Sequence, residues 1–589
     1  MTIRIPERND PCPCESGRKF KACCGPSNAR TVDEEVQRLG TEGIRLEAAR
    51  DLPAAYARFR TASALAPLNA RIRYMLGTAE LNLGRYPDAI VNLELCIRGE
   101  PIAEAHYNLG LALKNMGRLE NAALHFQRAS LMKPEWAAPN TNYGYALLDL
   151  GFADAAVDVM RRCIEGGLSD PLAFSNLLLT TQYLPTFTVE EMDNLHRGYG
   201  QAIQAAYPAM PARKADPSTK RLRVGLVSGD LRTHPVGLLL ADVLPELPAE
   251  NLDVIALSAG PETMPRDPVR QRIREVVREW HDVEHINDAT LAAFVRTAGI
   301  DVLIDLSGHT GYNRLGAFAL RPAPLQITWL GYGATTGLDR IDYILTDAIS
   351  TPPEDESQYT EQIWRLDLPR LPFSPPSGAP EPAAEPPAVK SGTITFGCFN
   401  NLAKLNPVVV GAWARILQGT PGSRLLLKSR HFDQPTAVKA LRDGFASFGV
   451  SPERVVLEGY DRRDLYFRAF ERIDIALDPF PFTGGMSTLD ALWMGVPVVS
   501  KRGDRMIGRQ GEMVLGHLGL EDWVADDVDA YVALACQKAA DVTALSALRT
   551  SLRSRVQAAP FAQPGAYGKA LGNAIWGMWH AKCANPQSA

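Results

Sequence analysis

The sequence predicts a multidomain chain: an all-α repeat solenoid followed by two doubly wound α/β lobes, with a small cysteine-rich module in front. Three observations carry that expectation. Helix-pair landmarks recur every 33–34 residues between position 36 and about 170, the mark of a helical repeat array. From Arg221 onward short apolar strands alternate with helical stretches, which implies parallel sheets. Four cysteines fall within thirteen residues near the start. At 589 residues the chain is too long for a single core.

Composition bounds the function. Apolar content of 46% and charged content of 22% are ordinary for a soluble globular protein. A formal charge of -5 gives no electrostatic reason to expect nucleic acid as a partner. The first residues, MTIRIPERND, lack the apolar core of a signal peptide, and no run of 18 apolar residues appears, so no membrane span is expected. Beyond the first four, the cysteines (Cys96, Cys163, Cys398, Cys536, Cys583) are scattered, unlike a disulfide framework. A cytoplasmic, reducing location is expected.

Taken in order, residues 1–30 form the first module. Cys12, Cys14, Cys23 and Cys24 make a C-x-C-x8-C-C pattern. Four thiolates that close suit a tetrahedral zinc ion, with Lys19 and Lys21 offsetting its tetrathiolate charge. A segment this short cannot bury a core, so metal is its source of folding energy. With Pro11, Ser16, Gly17 and Gly25 around the cysteines, it resembles the SEC-C motif, a zinc-binding module, and the resemblance implies a role in protein contacts.

Residues 36–170 repeat. Gly77, Gly110 and Gly144 recur, then Ala89, Ala122 and Ala156, then Leu93, Phe126 and Met160, then Cys96, Ala129 and Cys163. Pro67, Pro101 and Pro134 close three units, and Gly43, Ala55, Phe59 and Ala62 mark an earlier copy. Small residues are expected where the helices of a pair touch, and large ones in the groove between pairs. Period and positions are those of tetratricopeptide repeats. Such solenoids hold peptides or partner proteins; a spacer or dimerisation surface is the plainer reading.

A helical connector is expected over 171–217 and a first α/β lobe over 218–371. Its strands are read at Leu222–Val227, Leu252–Leu257, Ile300–Leu306 and Pro324–Leu330. Functional groups of parallel sheets gather at the carboxyl ends of strands, where His234, His309 and the Gly331–Gly337 turn fall. The Pro- and Ala-rich stretch 372–392 reads as a linker or exposed loop. A second lobe follows over 393–589, with strands at Ile394–Phe399, Arg424–Lys428, Val455–Leu457, Asp474–Leu477 and Val496–Ser500. The Pro- and Gly-rich turn from Pro479 to Gly485 leads into a helix expected to start at Ser487, hydroxyl residues serving as its cap. Free N–H groups at such a helix start form an anion cradle. An ordinary βα connection accounts for the stretch equally well. Arg505 and Arg509 read either as pocket-lining or as helix-surface residues.

Two such lobes enclose a cleft, an outline shared by GT-B glycosyltransferases and other two-domain α/β enzymes. Four segments narrow it: GLVSGDLRTHPVG, DVLIDLSGHTGYNRLGAFALRPAPLQITWLGYGATTGLDRIDYILTD, ITFGCFNNLAKLNP and ALDPFPFTGGMSTLDALWMGVPVVS. Over roughly 221–530 the chain resembles the bacterial branch of the O-linked N-acetylglucosamine transferase and SPINDLY family, whose architecture includes the repeats. The resemblance implies inverting transfer of a sugar from a nucleotide donor, UDP-N-acetylglucosamine foremost, to Ser or Thr of an acceptor protein held by the repeats, with no metal required. It assigns His234 to the reacting centre as a debated general base and Lys404 to the donor diphosphate. Asn401 stands near that diphosphate. Thr483, Gly484, Gly485, Met486 and Ser487 match the phosphate-binding turn, and Asp490 the ribose-holding acid.

Two departures stand out. The family's turn runs N-G-x-T-T; here Met486 replaces one hydroxyl residue. Tyr466 stands where the family has a donor-contacting His, and Tyr carries no positive charge near neutral pH; Arg463 compensates. Both bear on the donor rather than on the reaction class, since relatives use UDP-N-acetylglucosamine, UDP-glucose or GDP-fucose. The alternative from another class is a repeat scaffold with a catalytically degenerate glycosyltransferase domain.

Overall fold

Four helix pairs occupy the expected repeat region: Val32–Ala48 with Leu52–Leu65, Ala70–Asn82 with Tyr86–Gly99, Ala103–Asn115 with Leu119–Met132, and Ala137–Asp149 with Ala153–Glu165. This computed structural model describes residues 9–12, 16–23, 32–165, 171–261, 266–459 and 461–584. The chain divides into two units, one of residues 1–150 and 158–173, the other of 151–157 and 174–589.

In the repeats the recurring glycines meet large residues. A Cβ on Gly43 would lie 2.4 Å from Phe59, on Gly77 2.7 Å from Leu93, and on Gly110 2.6 Å from Phe126. The large residues therefore seat on the glycine of their own pair, which corrects the expectation that they fill the groove between pairs. Turns between paired helices pass through Gly84 and Gly117, whose φ of +71 and +73 is costly for any residue with a Cβ.

The larger unit carries two sheets in which every recorded pairing is parallel. The first lobe's strands are β1 Leu222–Ser228, β2 Leu252–Ser258, β3 Glu279–Asp282, β4 Val302–Asp305, β5 Leu325–Thr328, β6 Tyr343–Asp347 and β7 Gln362–Leu366. They lie in the order β3-β2-β1-β4-β5-β6-β7. The second lobe's are β8 Thr395–Cys398, β9 Arg424–Lys428, β10 Val455–Glu458, β11 Ile475–Leu477, β12 Val498–Lys501 and β13 Val524–Ala525, in the order β10-β9-β8-β11-β12-β13. The order reverses between β1 and β4 in one sheet and between β8 and β11 in the other. Crevices open at such switch points, and the loops after β1, β8 and β11 carry His234, Lys404 and the Pro479–Gly485 turn.

The connector is part of the first lobe's core rather than a spacer. Its helices are Pro171–Thr181 and Val189–Ala206, the second started by a Thr188–Glu191 capping box. Leu178, Tyr199 and Ile203 pack in one buried cluster with Val227, Ile255, Leu303 and Phe318. Gly200 rides against the chain at Gly337, where a Cβ would stand 1.6 Å from the carbonyl oxygen.

The 372–392 stretch is bound to the second lobe. Ala388 donates its N–H to Asp474 Oδ1 at 2.9 Å, and Arg549 and Arg553 donate to the carbonyls of Ala383 and Pro380. The C-terminal helix, Pro564–Ala584, returns to the first lobe. Trp576 Nε1 donates to the Glu250 carbonyl at 2.8 Å, Lys582 Nζ pairs with Asp342 at 2.9 Å, and Gly577 leaves room for the Trp364 ring.

Phe126 is fully buried, while Leu124 on the same helix is 44% exposed. Phe126→Ala is expected to destabilise the repeats by about 3–5 kcal/mol. Leu124→Ala should stay within about 0.5 kcal/mol, both read from urea denaturation followed by circular dichroism.

Candidate functional site

The second lobe gathers polar groups at its switch point. After β8 the chain turns through Asn400 and Asn401 into the short helix Leu402–Lys404. Lys404 Nζ donates to Asn400 Oδ1 at 3.0 Å and to the Thr483 carbonyl at 2.9 Å. It also stands 4.1 Å from the centroid of the Phe482 ring, within cation–π range. Ser487 Oγ donates to the same Asn400 oxygen at 2.9 Å. Lys404, Asn400, Thr483 and Ser487 thus meet, two loops and a helix start closing on one ammonium.

Behind them lies Asp478, 2% exposed. Its carboxylate accepts from Thr488 Oγ1 and Ser500 Oγ, each at 3.0 Å. Burial pushes the Asp478 carboxyl up and the Lys404 ammonium down, and the attraction between the two opposes both shifts. Gly484 fits over this carboxylate only because it lacks a side chain: a Cβ would stand 2.3 Å from Thr488 Oγ1 and 2.7 Å from Asp478 Oδ1.

The following helix is Met486–Trp493, and its N-cap is Gly485, with no side-chain cap hydrogen bond. The expected hydroxyl cap is therefore corrected. Ser487 and Thr488 lie inside the first turn, their hydroxyls drawn to Asn400 and Asp478, so no side chain covers the first-turn N–H groups. These keep the partial positive charge of a helix start. Met486 is the first helical residue. Thr483 is fully buried, and its hydroxyl donates to the Ile507 carbonyl at 3.1 Å, so the turn presents Thr483 by its backbone.

A second cluster lies one turn along that helix. Asp490, 8% exposed, accepts from Tyr466 Oη at 3.1 Å through Oδ2, while its buried Oδ1 has no hydrogen-bond partner. Burial pushes its carboxyl up to about 6, against the pull of Arg463 and the Tyr466 hydrogen bond. Burial and the Asp490 charge hold the Tyr466 phenol well above its usual range. Arg463 opens the helix Arg463–Ala469 and lies 5.3 Å from the Phe467 ring.

In the first lobe His234 caps the helix Pro235–Leu240, its Nδ1 3.4 Å from the Val236 N–H and 3.5 Å from Asp230 Oδ2. Burial lowers its pKa, with Arg232 and Arg430 pushing the same way and Asp230 opposing. Arg430 belongs to the second lobe, beyond β9.

Other expectations change. His309 does not line the cleft: it is fully buried, Nδ1 2.9 Å from Ser175 Oγ and Nε2 3.0 Å from the Thr336 carbonyl. It joins the connector to the sheet. Arg505, 6% exposed, donates to the Phe187 carbonyl at 2.9 Å, and Arg509 pairs with Asp355 at 2.9 Å; neither is a surface arginine. Asn401 caps its short helix by accepting the Ala403 N–H at 3.1 Å, while its neighbour Asn400 holds Lys404. Asn400, Asp478 and Phe482 escaped sequence reasoning, although the repeated Asn of FNN and the acid closing β11 were visible signals.

At the N-terminus Cys12 is buried and its N–H donates to the Arg18 carbonyl at 2.8 Å, while Cys23 Sγ lies 3.1 Å from Ser16 Oγ. Cys14 and Cys24 lie outside the described residues. Among the described residues no three His, Cys, Asp or Glu side chains cluster as metal ligands. Among them, too, no helix is long and apolar enough to cross a membrane.

A SEC-C motif profile matches residues 8–26, and tetratricopeptide repeat profiles match 41–96 and 103–135. Two plant proteins named "Probable UDP-N-acetylglucosamine--peptide N-acetylglucosaminyltransferase SPINDLY" are similar. That of Solanum lycopersicum is 34% identical over 423 residues, covering 70% of this chain and 44% of its own length. That of Arabidopsis thaliana is 34% identical over 424 residues, covering 70% and 45%. The chain therefore spans less than half the length of these curated relatives. A mutant O-GlcNAc transferase of Thermobaculum terrenum superposes with a TM-score of 0.72 at 30% identity, over 95% of this chain and 100% of that one. The profile of glycosyl transferase family 41 matches residues 202–367 and 387–571, both lobes and more than half of the sequence, and the chain belongs to that family.

Proposed function

We propose that this protein is a protein O-glycosyltransferase that moves N-acetylglucosamine, with inversion, from UDP-N-acetylglucosamine to a Ser or Thr hydroxyl of an acceptor protein bound by the repeats. The observation that carries it is the convergence of Lys404 and the uncapped helix start at Met486 on one spot of the second lobe. The names of the similar plant proteins support the donor, and the tetratricopeptide repeats support a protein acceptor.

The C1–oxygen bond to the diphosphate breaks, the acceptor oxygen bonds to C1 from the opposite face, and the hydroxyl proton leaves to a base. Negative charge grows on the departing diphosphate. Lys404 and the first-turn N–H groups meet that charge, the work a metal does elsewhere. Asp490 Oδ1, buried and without a partner, accepts a ribose hydroxyl. Tyr466 aims that carboxylate, and Arg463 stands beside it. Gly484, Gly485 and Ser487 shape the cradle. His234 supplies an imidazole placed to take the acceptor proton.

Zinc belongs to residues 1–30 in this reading. Four thiolates are a closed structural donor set, and the Cys12 N–H bonded to Arg18 gives the module a folded turn; Cys12, Cys14, Cys23 and Cys24 would hold the ion. Among the described residues Cys96, Cys398, Cys536 and Cys583 are free thiols, which supports a reducing, cytoplasmic location.

Among UDP-, GDP- and CMP-sugars, UDP-N-acetylglucosamine is expected to give thermal stabilisation and slow hydrolysis; silence across the whole panel would sink the enzyme reading. Lys404→Ala should cut transfer by about 100-fold or more with acceptor binding unchanged, and equal transfer by the variant would put the diphosphate elsewhere. Donor affinity should fall as pH drops below about 6, because Asp490 then gains a proton and loses the charge that strengthens its hydrogen bond to the ribose. Tyr466→Phe should move that acid limb to higher pH, since the lost hydrogen bond had favoured the carboxylate. Asp490→Asn should erase the limb and weaken binding by about 1.5–3 kcal/mol, measured calorimetrically with the intact nucleotide sugar. Metal analysis of the purified full chain should find one zinc, lost on replacing Cys12 and Cys23 by Ser.

A further inference from the structure

The donor cradle of the second lobe is backed by a residue from outside that lobe. Between the connector helices Pro171–Thr181 and Val189–Ala206 the chain runs through Gln182 to Phe187 and touches both lobes. Gln182 Nε2 donates to Tyr332 Oη of the first lobe at 3.0 Å. Arg505 of the second lobe donates to the Phe187 carbonyl at 2.9 Å. Between these anchors the Tyr183 ring, 9% exposed, packs on Phe482 with centroids 4.9 Å apart. Phe482 is the ring that Lys404 Nζ overlies at 4.1 Å, and the next residue, Thr483, offers Lys404 its carbonyl. The contacts run unbroken from Tyr183 to Phe482 to Lys404.

We propose that Tyr183 is a positioning residue for sugar transfer: it holds Phe482, and through it the Lys404 ammonium and the Thr483 backbone, in place for the leaving diphosphate. The inference rests on the function proposed above. Phe482 is half-buried, and the 182–187 segment supplies an aromatic ring for it to pack on. Aromatic pairs at this separation carry energy beyond their buried area. A cation is held more firmly over a ring that cannot rotate away. Small misplacements of a charge-stabilising group cost rate steeply.

The test is a double-mutant cycle on kcat/KM for transfer in the full chain, with donor and acceptor KM measured separately. Tyr183→Ala is expected to lower kcat by about tenfold to a hundredfold with acceptor KM unchanged. Phe482→Ala should do the same, and the double variant should be no worse than Phe482→Ala alone. Tyr183→Phe, which keeps the ring, should restore most of the rate. Wild-type kcat in Tyr183→Ala, or losses that multiply independently in the double variant, would overturn the proposal. If Tyr183→Ala fails to fold by thermal unfolding, Tyr183→Leu takes its place in the same cycle. A wild-type protein without turnover strikes the proposed function itself; active wild type with an unaffected Tyr183 variant strikes this inference alone.

Discussion

A carboxylate held out of water governs the second lobe's cleft. Asp478 ends β11 with 2% of its surface exposed, a placement tolerated only with partners on every side. It has them: two hydroxyls, the nearby ammonium of Lys404 and the close-packed Gly484. Each partner fixes an element. Thr488 ties down the helix start, Ser500 the neighbouring strand β12, and Gly484 the turn between. Lys404 is drawn from β8 across the switch point towards the same centre. These groups are therefore held together by the protein's own contacts, with two of the three N–H groups of the Lys404 ammonium donating to Asn400 and Thr483.

That arrangement explains what the sequence let through and what it withheld. Strands β1, β2, β4, β5 and β8 to β12 were legible from their apolar residues, but β3, β6, β7 and β13 went unread. In β3, Glu279–Asp282, the residues EWHD carry no apolar run. Lys404 and Asp490 were singled out as candidates through their motif. Their working partners were not, because hydrogen bonds between residues 79 or 87 positions apart, as in Lys404 with Thr483 and Ser487 with Asn400, leave no local pattern. The helix cap was misread for a related reason. Ser487 and Thr488 look like caps by local rules, yet tertiary acceptors claim both hydroxyls. His309 sits at a strand end, as active-site residues do, but the connector helix covers it.

The connector and the C-terminal helix give the two lobes common walls. The first lobe's core takes in Tyr199 and Ile203 from one side, and Trp576 and Lys582 reach it from the other. Both segments are remote in sequence from the strands they cover. A reading of the chain in blocks assigns the last helix to the lobe that precedes it in sequence. The indole nitrogen of Trp576 on the Glu250 carbonyl places it with the other.

The return of that last helix has a consequence for synthesis. The strands of the first lobe leave the ribosome long before Pro564–Ala584 does. At typical elongation rates the interval is on the order of 10 s or more. Throughout it the groups that will take Trp576, Lys582 and Tyr567, namely the Glu250 carbonyl, the Asp342 carboxylate and the Arg370 carbonyl, stand uncovered and open to other chains. The nascent protein thus has a built-in waiting period in which its first lobe is assembled but unsealed, and chaperone demand should concentrate there.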